Sequence, residues 1–361
     1  LRAFFRQFPT GEAPEAYYHF LAGKLGKDPE EQLYKLPEYQ KQVAAATEEA
    51  CQFTLGKNNR KIFNKIKKCL GDNKAPWVLI GGPPCQAYSL AGRSRNKGNP
   101  DYRPEEDHRN FLYKEYLRVI SRFQPNIFVM ENVKGLLSAK VAGKSIFEEI
   151  RKDLECPAKA LKTKDKRINY EIYSLTTTDL FGGTDLAPSD YLIRAEKYGI
   201  PQARHRVILL GVRSDIGVIP ELLTERKAPT IKDVISDLPK LRSGLSKQED
   251  SAIHWSEAIH NNIENVISEL RSSDRHSVAD NMEKALKRIE KKQLPRHTNP
   301  GRSPSSVSLK KVGQKLADWY TDDRLMGVCN HESRGHIYSD LQRYLFCACY
   351  SEVAKEKQRL T

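Results

Sequence analysis

Residues 76–95 read PWVLIGGPPCQAYSLAGRSR, and this stretch decides the fold. The apolar run from Trp77 to Ile80 stops at two glycines and two prolines, a pattern typical of a buried strand that ends in a turn. Further short apolar runs predict three more strands, at 126–130, 168–175 and 206–212. Helical spacing of apolar residues predicts helices between them, at 111–123 and 145–154. This alternation of strand and helix indicates an α/β domain with a parallel sheet.

The size, charge and cysteine content of the chain limit the classes of protein to which it can belong. Its 361 residues suggest about two domains. Lys and Arg number 60 against 46 Asp and Glu, a net charge of +14, which attracts phosphate backbones but also fits a solvated basic surface. No apolar run approaches the roughly 20 residues of a membrane helix, and no apolar signal segment opens the chain. Seven cysteines without a CxxC pair indicate reduced thiols in a cytosolic protein.

Two chemically active side chains follow predicted strands. Cys85 comes after the Gly-Pro turn of the first strand, and Glu131 directly follows the strand at 126–130. Ligands of open α/β sheets bind beyond the carboxyl ends of the strands. A thiol attacks as the thiolate, which nearby cations favour, and arginines stand at 93, 95, 204 and 206. A buried, inert cysteine would explain Cys85 alone, but the combination favours a catalytic thiol.

Three segments together resemble the DNA (cytosine-5) methyltransferases. Residues 81–89 look like the family's catalytic loop, and Glu131-Asn132-Val133 looks like its second catalytic motif. Residues 202–206, QARHR, are similar to the third motif, of the form Q-x-R-x-R. Residues 107–112, DHRNFL, resemble the family's helix start between the first two motifs. The order along the chain agrees, and the resemblance covers roughly residues 76–213.

The resemblance implies a mechanism. Cys85 would add as thiolate to carbon 6 of a cytosine flipped out of double-stranded DNA, so that carbon 5 can take a methyl group from S-adenosylmethionine. Glu131 would hydrogen-bond ring nitrogen 3 and the exocyclic amine, and Arg206 would contact the base carbonyl. Asn132 is expected to fix the turn at the strand end. The remaining implied contacts are to cofactor at Pro84 and Leu112, and to DNA at Gln86, Ser89, Gln202 and Arg204.

The fold that the resemblance implies is an incomplete Rossmann-like S-adenosylmethionine-dependent methyltransferase sheet with a second, irregular target recognition domain. Residues 1–213 would form the catalytic domain, and residues 214–361 the target recognition region and the start of the return to the catalytic domain. The family's Phe-x-Gly-x-Gly strand does not occur before Gly81, and its Gly-Asn-x-Val segment does not occur up to Thr361. We therefore expect a segment truncated at both ends and prefer this explanation to a circularly permuted or inactive relative. Such a segment alone should bind DNA weakly and transfer no methyl group.

Two other functions stay open: a transfer-RNA cytosine-5 methyltransferase and a non-catalytic DNA-binding relative. The long region after Arg213 argues against the first, and the intact motifs argue against the second. The basic residues Lys291, Lys292, Arg296, Arg302, Lys310 and Lys311 are either DNA contacts or a solvated linker. We expect a monomer in a bacterial-type cytoplasm, associated with the nucleoid, whose functional counterpart is a cognate restriction endonuclease.

A metal site is the last alternative. Cys329, His331, His336, Cys347 and Cys349 contain zinc-ligand side chains. Their spacing matches no common zinc pattern, and the last two cysteines fit an apolar helix stretch. We expect no metal here.

Overall fold

The computed structural model describes residues 1–9, 13–72, 75–84, 112–165, 168–177, 186–247, 249–290, 294–295, 312–322, 324–325 and 328–355. The chain divides into two compact units, one of Cys51–Val234 and one of Leu1–Ala50 together with Ile235–Thr361. This division does not test the functional domains that the resemblance implies. The functional domains 1–213 and 214–361 therefore stay a prediction.

The helices and strands of the described residues are numbered in chain order. The helices are α1 (Arg2–Phe5), α2 (Glu15–Leu21), α3 (Pro29–Lys35), α4 (Gln40–Glu49), α5 (Asn59–Leu70), α6 (Tyr113–Phe123), α7 (Ile146–Glu155), α8 (Pro157–Ala160), α9 (Ile231–Ile235), α10 (Ala252–His260), α11 (Ile263–Ser272), α12 (His276–Glu290), α13 (Gln314–Tyr320) and α14 (Tyr338–Ala354). The strands are β1 (Val78–Gly81), β2 (Ile127–Val133), β3 (Lys140–Val141), β4 (Lys144–Ser145), β5 (Tyr170–Tyr173), β6 (Leu192–Arg194), β7 (His205–Arg213), β8 (Gly244–Leu245) and β9 (Gly335–His336).

A five-stranded sheet forms the centre of the unit Cys51–Val234. β1 and β2 pair in parallel, β7 lies antiparallel on the other edge of β2, and β5 and β6 follow one another along the far edge of β7. The sheet is mixed, so the prediction of a parallel sheet is wrong beyond its first pair. The reason lies in the connection between β6 and β7, residues 195–204, which contains a 3-10 turn and no crossover helix. Such a link returns the chain antiparallel.

One face of this sheet is packed and the other is more open. Alternate residues of β2 and β7, among them Phe128, Met130, Val207 and Leu209, are buried against α6 and α7. Gly211 is required there, since an added Cβ would lie 2.1 Å from the Phe128 ring. On the opposite face, Val78 and Ile80 of β1 are 51% and 75% exposed. Glu131 and Arg206 belong to this open face because residues alternate along a strand.

The second unit is mainly helical. α10, α11, α12 and α14 enclose one apolar cluster that includes Ala258, Ala279 and Met282, and α1 to α4 enclose another around Phe4 and Leu33. Residues 252–290 form three nearly consecutive helices, so this part of the chain is more regular than expected. Of the described helices, none combines the length and apolarity needed to cross a bilayer.

Candidate active site

The carboxyl ends of β1 and β2 lie side by side and bring two predicted motifs together. Gly81 pairs with Met130, so Glu131 is the first residue of β2 beyond the end of β1. A Cβ added at Gly82 would lie 3.1 Å from Glu131 Oε2. The carboxylate therefore lies against the backbone of the turn that precedes Cys85. Glu131 is inside β2 and does not follow it as predicted, because residues 131–133 continue the ladder with β7.

Arg206 lies against this carboxylate. Its Nε is 2.7 Å from Glu131 Oε1, and its Nη1 donates a hydrogen bond to the backbone oxygen of His205 at 2.8 Å. The Nε–H lacks the alignment of a hydrogen bond, so we describe the contact as an ion pair. The side chains of Arg206 and Glu131 are 28% and 41% exposed, which leaves part of each open to a ligand.

Asn132 holds the two strand ends together. Its side chain is buried. Its Oδ1 accepts the backbone N–H of Val133 at 2.9 Å, and its Nδ2 lies 3.5 Å from the backbone oxygen of Pro83. These contacts support the expected role of Asn132 in fixing the turn.

Tyr116 of α6 supports both strands from the packed face. Its hydroxyl lies 3.2 Å from the Leu79 carbonyl oxygen and 3.1 Å from that of Val129. Burial raises the pKa of Tyr116, so the hydroxyl stays a neutral donor. A Cβ at Gly81 would lie 2.5 Å from the Tyr116 ring. The apolar spacing at 111–123 predicts the helix that contains Tyr116 but does not reveal this role. The glycine at the end of β1 is the only signal of it.

The other predicted site residues that the structure describes have no recorded contact with the Glu131–Arg206 pair. Gln202 and Arg204 are exposed in the connection before β7, and no described contact joins them to Glu131. Pro84 is exposed at the end of the turn after β1, and half-buried Leu112 directly precedes α6. Cys85, Gln86 and Ser89 lie outside the described residues, as do the basic residues Lys291, Lys292, Arg296, Arg302, Lys310 and Lys311. Their roles stay predictions.

The described residues fit an S-adenosyl cofactor only in part. Pro84 and Leu112 offer apolar surface and backbone groups. Among the described residues that end β1 and β2, Glu131 is the one carboxylate, and it already pairs with Arg206. The described part of these strand ends holds no second carboxylate for a ribose. The described residues therefore do not form the cofactor site by themselves.

Two of the candidate zinc ligands, His331 and Cys349, have other surroundings. Cys349 is buried in the helical core, and burial raises the pKa of its thiol. A ring nitrogen of His331 lies 2.6 Å from the Pro239 carbonyl oxygen. Within the part of the chain that the structure describes, no three His, Cys, Asp or Glu residues are arranged to hold a metal ion.

Comparison with curated proteins finds several type II methyltransferases. The chain is 37% identical over 192 residues to M.Bpa9945I of Bacillus paralicheniformis, covering 51% of this chain and 38% of the relative. It is 29% identical over 172 residues to M.DdeI of Desulfomicrobium norvegicum, covering 46% and 33%. It is 30% identical over 210 residues to M1.HphI of Haemophilus parahaemolyticus, covering 57% and 45%. The chain thus spans less than half the length of these relatives.

A solved structure and a family model complete the comparison. The structure is described as a DNA modification methyltransferase encoded within an E. coli prophage, and it is 20% identical with a TM-score of 0.34, covering 58% of this chain and 50% of that one. A likeness this distant carries no argument. The model for the C-5 cytosine-specific DNA methylases matches residues 36–334, most of the chain. The chain therefore belongs to the C-5 cytosine-specific DNA methylase family.

Proposed function

We propose that this chain carries the catalytic residues of a DNA (cytosine-5-)-methyltransferase of the restriction–modification type. It would act on a flipped-out cytosine in double-stranded DNA through a covalent bond between Cys85 and carbon 6. The observation that carries the proposal is the Glu131–Arg206 pair, whose carboxylate lies against Gly82 in the turn before Cys85. The family match and the type II methyltransferase relatives support it.

The pair is suited to hold the polar edge of a cytosine. A carboxyl group can hydrogen-bond ring nitrogen 3 and the exocyclic amine, while a guanidinium can donate to the base carbonyl. When the Cys85 thiolate forms its bond to carbon 6, the electrons of the 5,6 double bond move toward carbon 5, and the ring becomes more basic at nitrogen 3. Glu131 would share a proton there, and Arg206 would stabilise the carbonyl oxygen. Carbon 5 would then take the methyl group, and loss of the carbon 5 proton with breaking of the bond between Cys85 and carbon 6 would release 5-methylcytosine and the free thiolate.

The remaining assignments follow from the family. The methyl donor would be S-adenosylmethionine, with Pro84 and Leu112 among its contacts. Gln86, Ser89, Gln202 and Arg204 would contact DNA, and the net charge of +14 favours that polyanion. Residues 1–213 would catalyse, and residues 214–361 would read the target. We further propose a monomer in a bacterial-type cytoplasm near the nucleoid, with a restriction endonuclease as its counterpart.

Covalent trapping tests the proposal. Duplex DNA of random sequence with 5-azacytosine in place of cytosine captures a thiolate that adds to carbon 6, and methyl transfer is not needed for capture. We expect an adduct that survives denaturation and whose peptide map places the bond at Cys85. Cys85→Ser should abolish it, whereas Cys69→Ser, a change at an exposed cysteine, should keep it. Equal trapping by the unaltered chain and Cys85→Ser would overturn the proposed function.

A further inference from the structure

A second pair of ionisable side chains lies directly behind Arg206. The Nε2 atom of His205 and Oε1 of Glu196 are 2.7 Å apart. His205 is the first residue of β7, and Glu196 lies in the 3-10 turn that follows β6. The backbone oxygen of His205 accepts the hydrogen bond from Arg206 Nη1 at 2.8 Å. His205 therefore contacts both residues: its ring contacts the Glu196 carboxylate, and its backbone carbonyl accepts the bond from Arg206.

The pair closes the end of a short ladder. β6 has only three residues, with Arg194 opposite His205 and Ile193 opposite Arg206. One more backbone bond, from Ala195 N–H to the Arg204 oxygen at 3.1 Å, extends the pairing. Ends of short strands open locally at low free-energy cost. The contact between Glu196 and His205 opposes this opening at the start of β7, next to Arg206.

Charge favours the same arrangement. The pKa of Glu196 lies below its ordinary value, first because of a backbone hydrogen bond within the residue and then because of the bond to His205. Arg194 of β6 also favours the carboxylate. The other charged groups of the cavity that Glu196 lines are Lys197, Glu225, Arg226 and Lys227. Glu196 is thus kept ionised beside the His205 ring.

We propose that Glu196 and His205 are positioning residues for the Glu131–Arg206 pair. They fix the first residues of β7, so that the Arg206 side chain is held toward Glu131 before a base enters. Holding a group in place beforehand removes an ordering cost from the reaction step. The inference rests on the proposed function in one respect, that Arg206 serves the addition of Cys85 to cytosine.

The first test measures the rate of trapping on 5-azacytosine DNA as the DNA concentration is raised to saturation. Glu196→Gln should lower the maximal rate by about tenfold and leave the half-saturating DNA concentration within about twofold, because it alters positioning and not DNA contact. Glu225→Gln is the matched control. It removes the carboxylate that pairs with Lys197 of the same turn at 3.0 Å, without touching His205 or Arg206. It should trap at the unaltered rate.

A spectroscopic measurement tests the inference without any reaction. The nitrogen–proton signal of Arg206 Nε, assigned by its loss in Arg206→Lys, should shift or broaden in Glu196→Gln and stay unchanged in Glu225→Gln. An unchanged signal in Glu196→Gln, or trapping at the unaltered rate, would overturn the inference. If the unaltered chain forms no Cys85 adduct, the proposed function fails instead, and the signal alone still decides whether Glu196 positions Arg206.

Discussion

Glu131 and Arg206 occupy diagonal positions on antiparallel strands, with Ile208 opposite the glutamate and Val133 opposite the arginine, and their charged atoms meet at 2.7 Å. Diagonal neighbours on one face lie within reach of long side chains. A shift of one residue between the strands would turn one of the two to the other face. The apolar residues of the packed face fix the register, and the register in turn places the ion pair.

Glu131→Gln should lower the trapping rate by about 10²- to 10⁴-fold, the usual contribution of a placed proton donor or acceptor. Stability should change by less than about 1 kcal/mol, because a partly exposed ion pair contributes little. Glu171→Gln, at an exposed position of β5 in the same sheet, is the control and should keep the rate. Trapping at the unaltered rate by Glu131→Gln would contradict the assigned role.

Gly82→Ala should also slow trapping, by about tenfold, because its Cβ would come within 3.1 Å of Glu131 Oε2 and displace the carboxylate. The melting temperature should stay nearly constant, since the turn is at the surface. Gly313→Ala is a suitable control because its Cβ would meet nothing within 4 Å. An unaffected rate in Gly82→Ala would show that the carboxylate position tolerates the shift.

Tyr116→Phe should destabilise the unit Cys51–Val234 by about 1 kcal/mol at neutral pH, the worth of one hydrogen bond. The pKa of Tyr116 is raised above its ordinary value of 10.0 by burial. A raised pKa in the folded state gives a contribution that is complete below pH 10 and is lost as pH rises further. The stability difference between the two proteins should therefore shrink above pH 10. Urea unfolding at neutral and alkaline pH measures it, with Tyr198→Phe as the control.

Asp250→Ala should unfold the helical unit locally. Asp250 accepts two bonds from the Arg242 guanidinium, at 2.8 and 2.6 Å, and one from the Leu245 backbone at 2.7 Å. The side chains are 17% and 7% exposed. Removing one partner of a buried pair costs about 3–5 kcal/mol. Hydrogen exchange should accelerate around residues 242–250 and stay unchanged in β2. Asp340→Ala, which breaks the more exposed pair with Arg343, should leave both regions protected.

Local pattern predicted the strands at the site well, but not their directions. Apolar runs located β1, β2, β5 and β7 to within a few residues, because burial dictates those side chains one by one. The antiparallel direction of β7 depends on the connection 195–204, which contains no crossover helix. This could not be predicted because β6, the strand before the connection, was not predicted. The contact between Glu196 and His205 could not be predicted either, because it also depends on how β6 pairs with β7. In the sequence, the histidine is simply the variable residue between two arginines of a motif. The role of Cys85 stays a prediction.

The exposed edge of strand β1 affects how the protein behaves in concentrated solution. Its outer edge has no strand partner among the described residues, and Val78 and Ile80 expose apolar surface beside it. An open edge with apolar side chains is a template on which another chain can add a strand. The purified chain should therefore be a monomer only when dilute, and should aggregate and precipitate as its concentration rises, despite a charge of +14. A lysine in place of Ile80 would keep it dispersed.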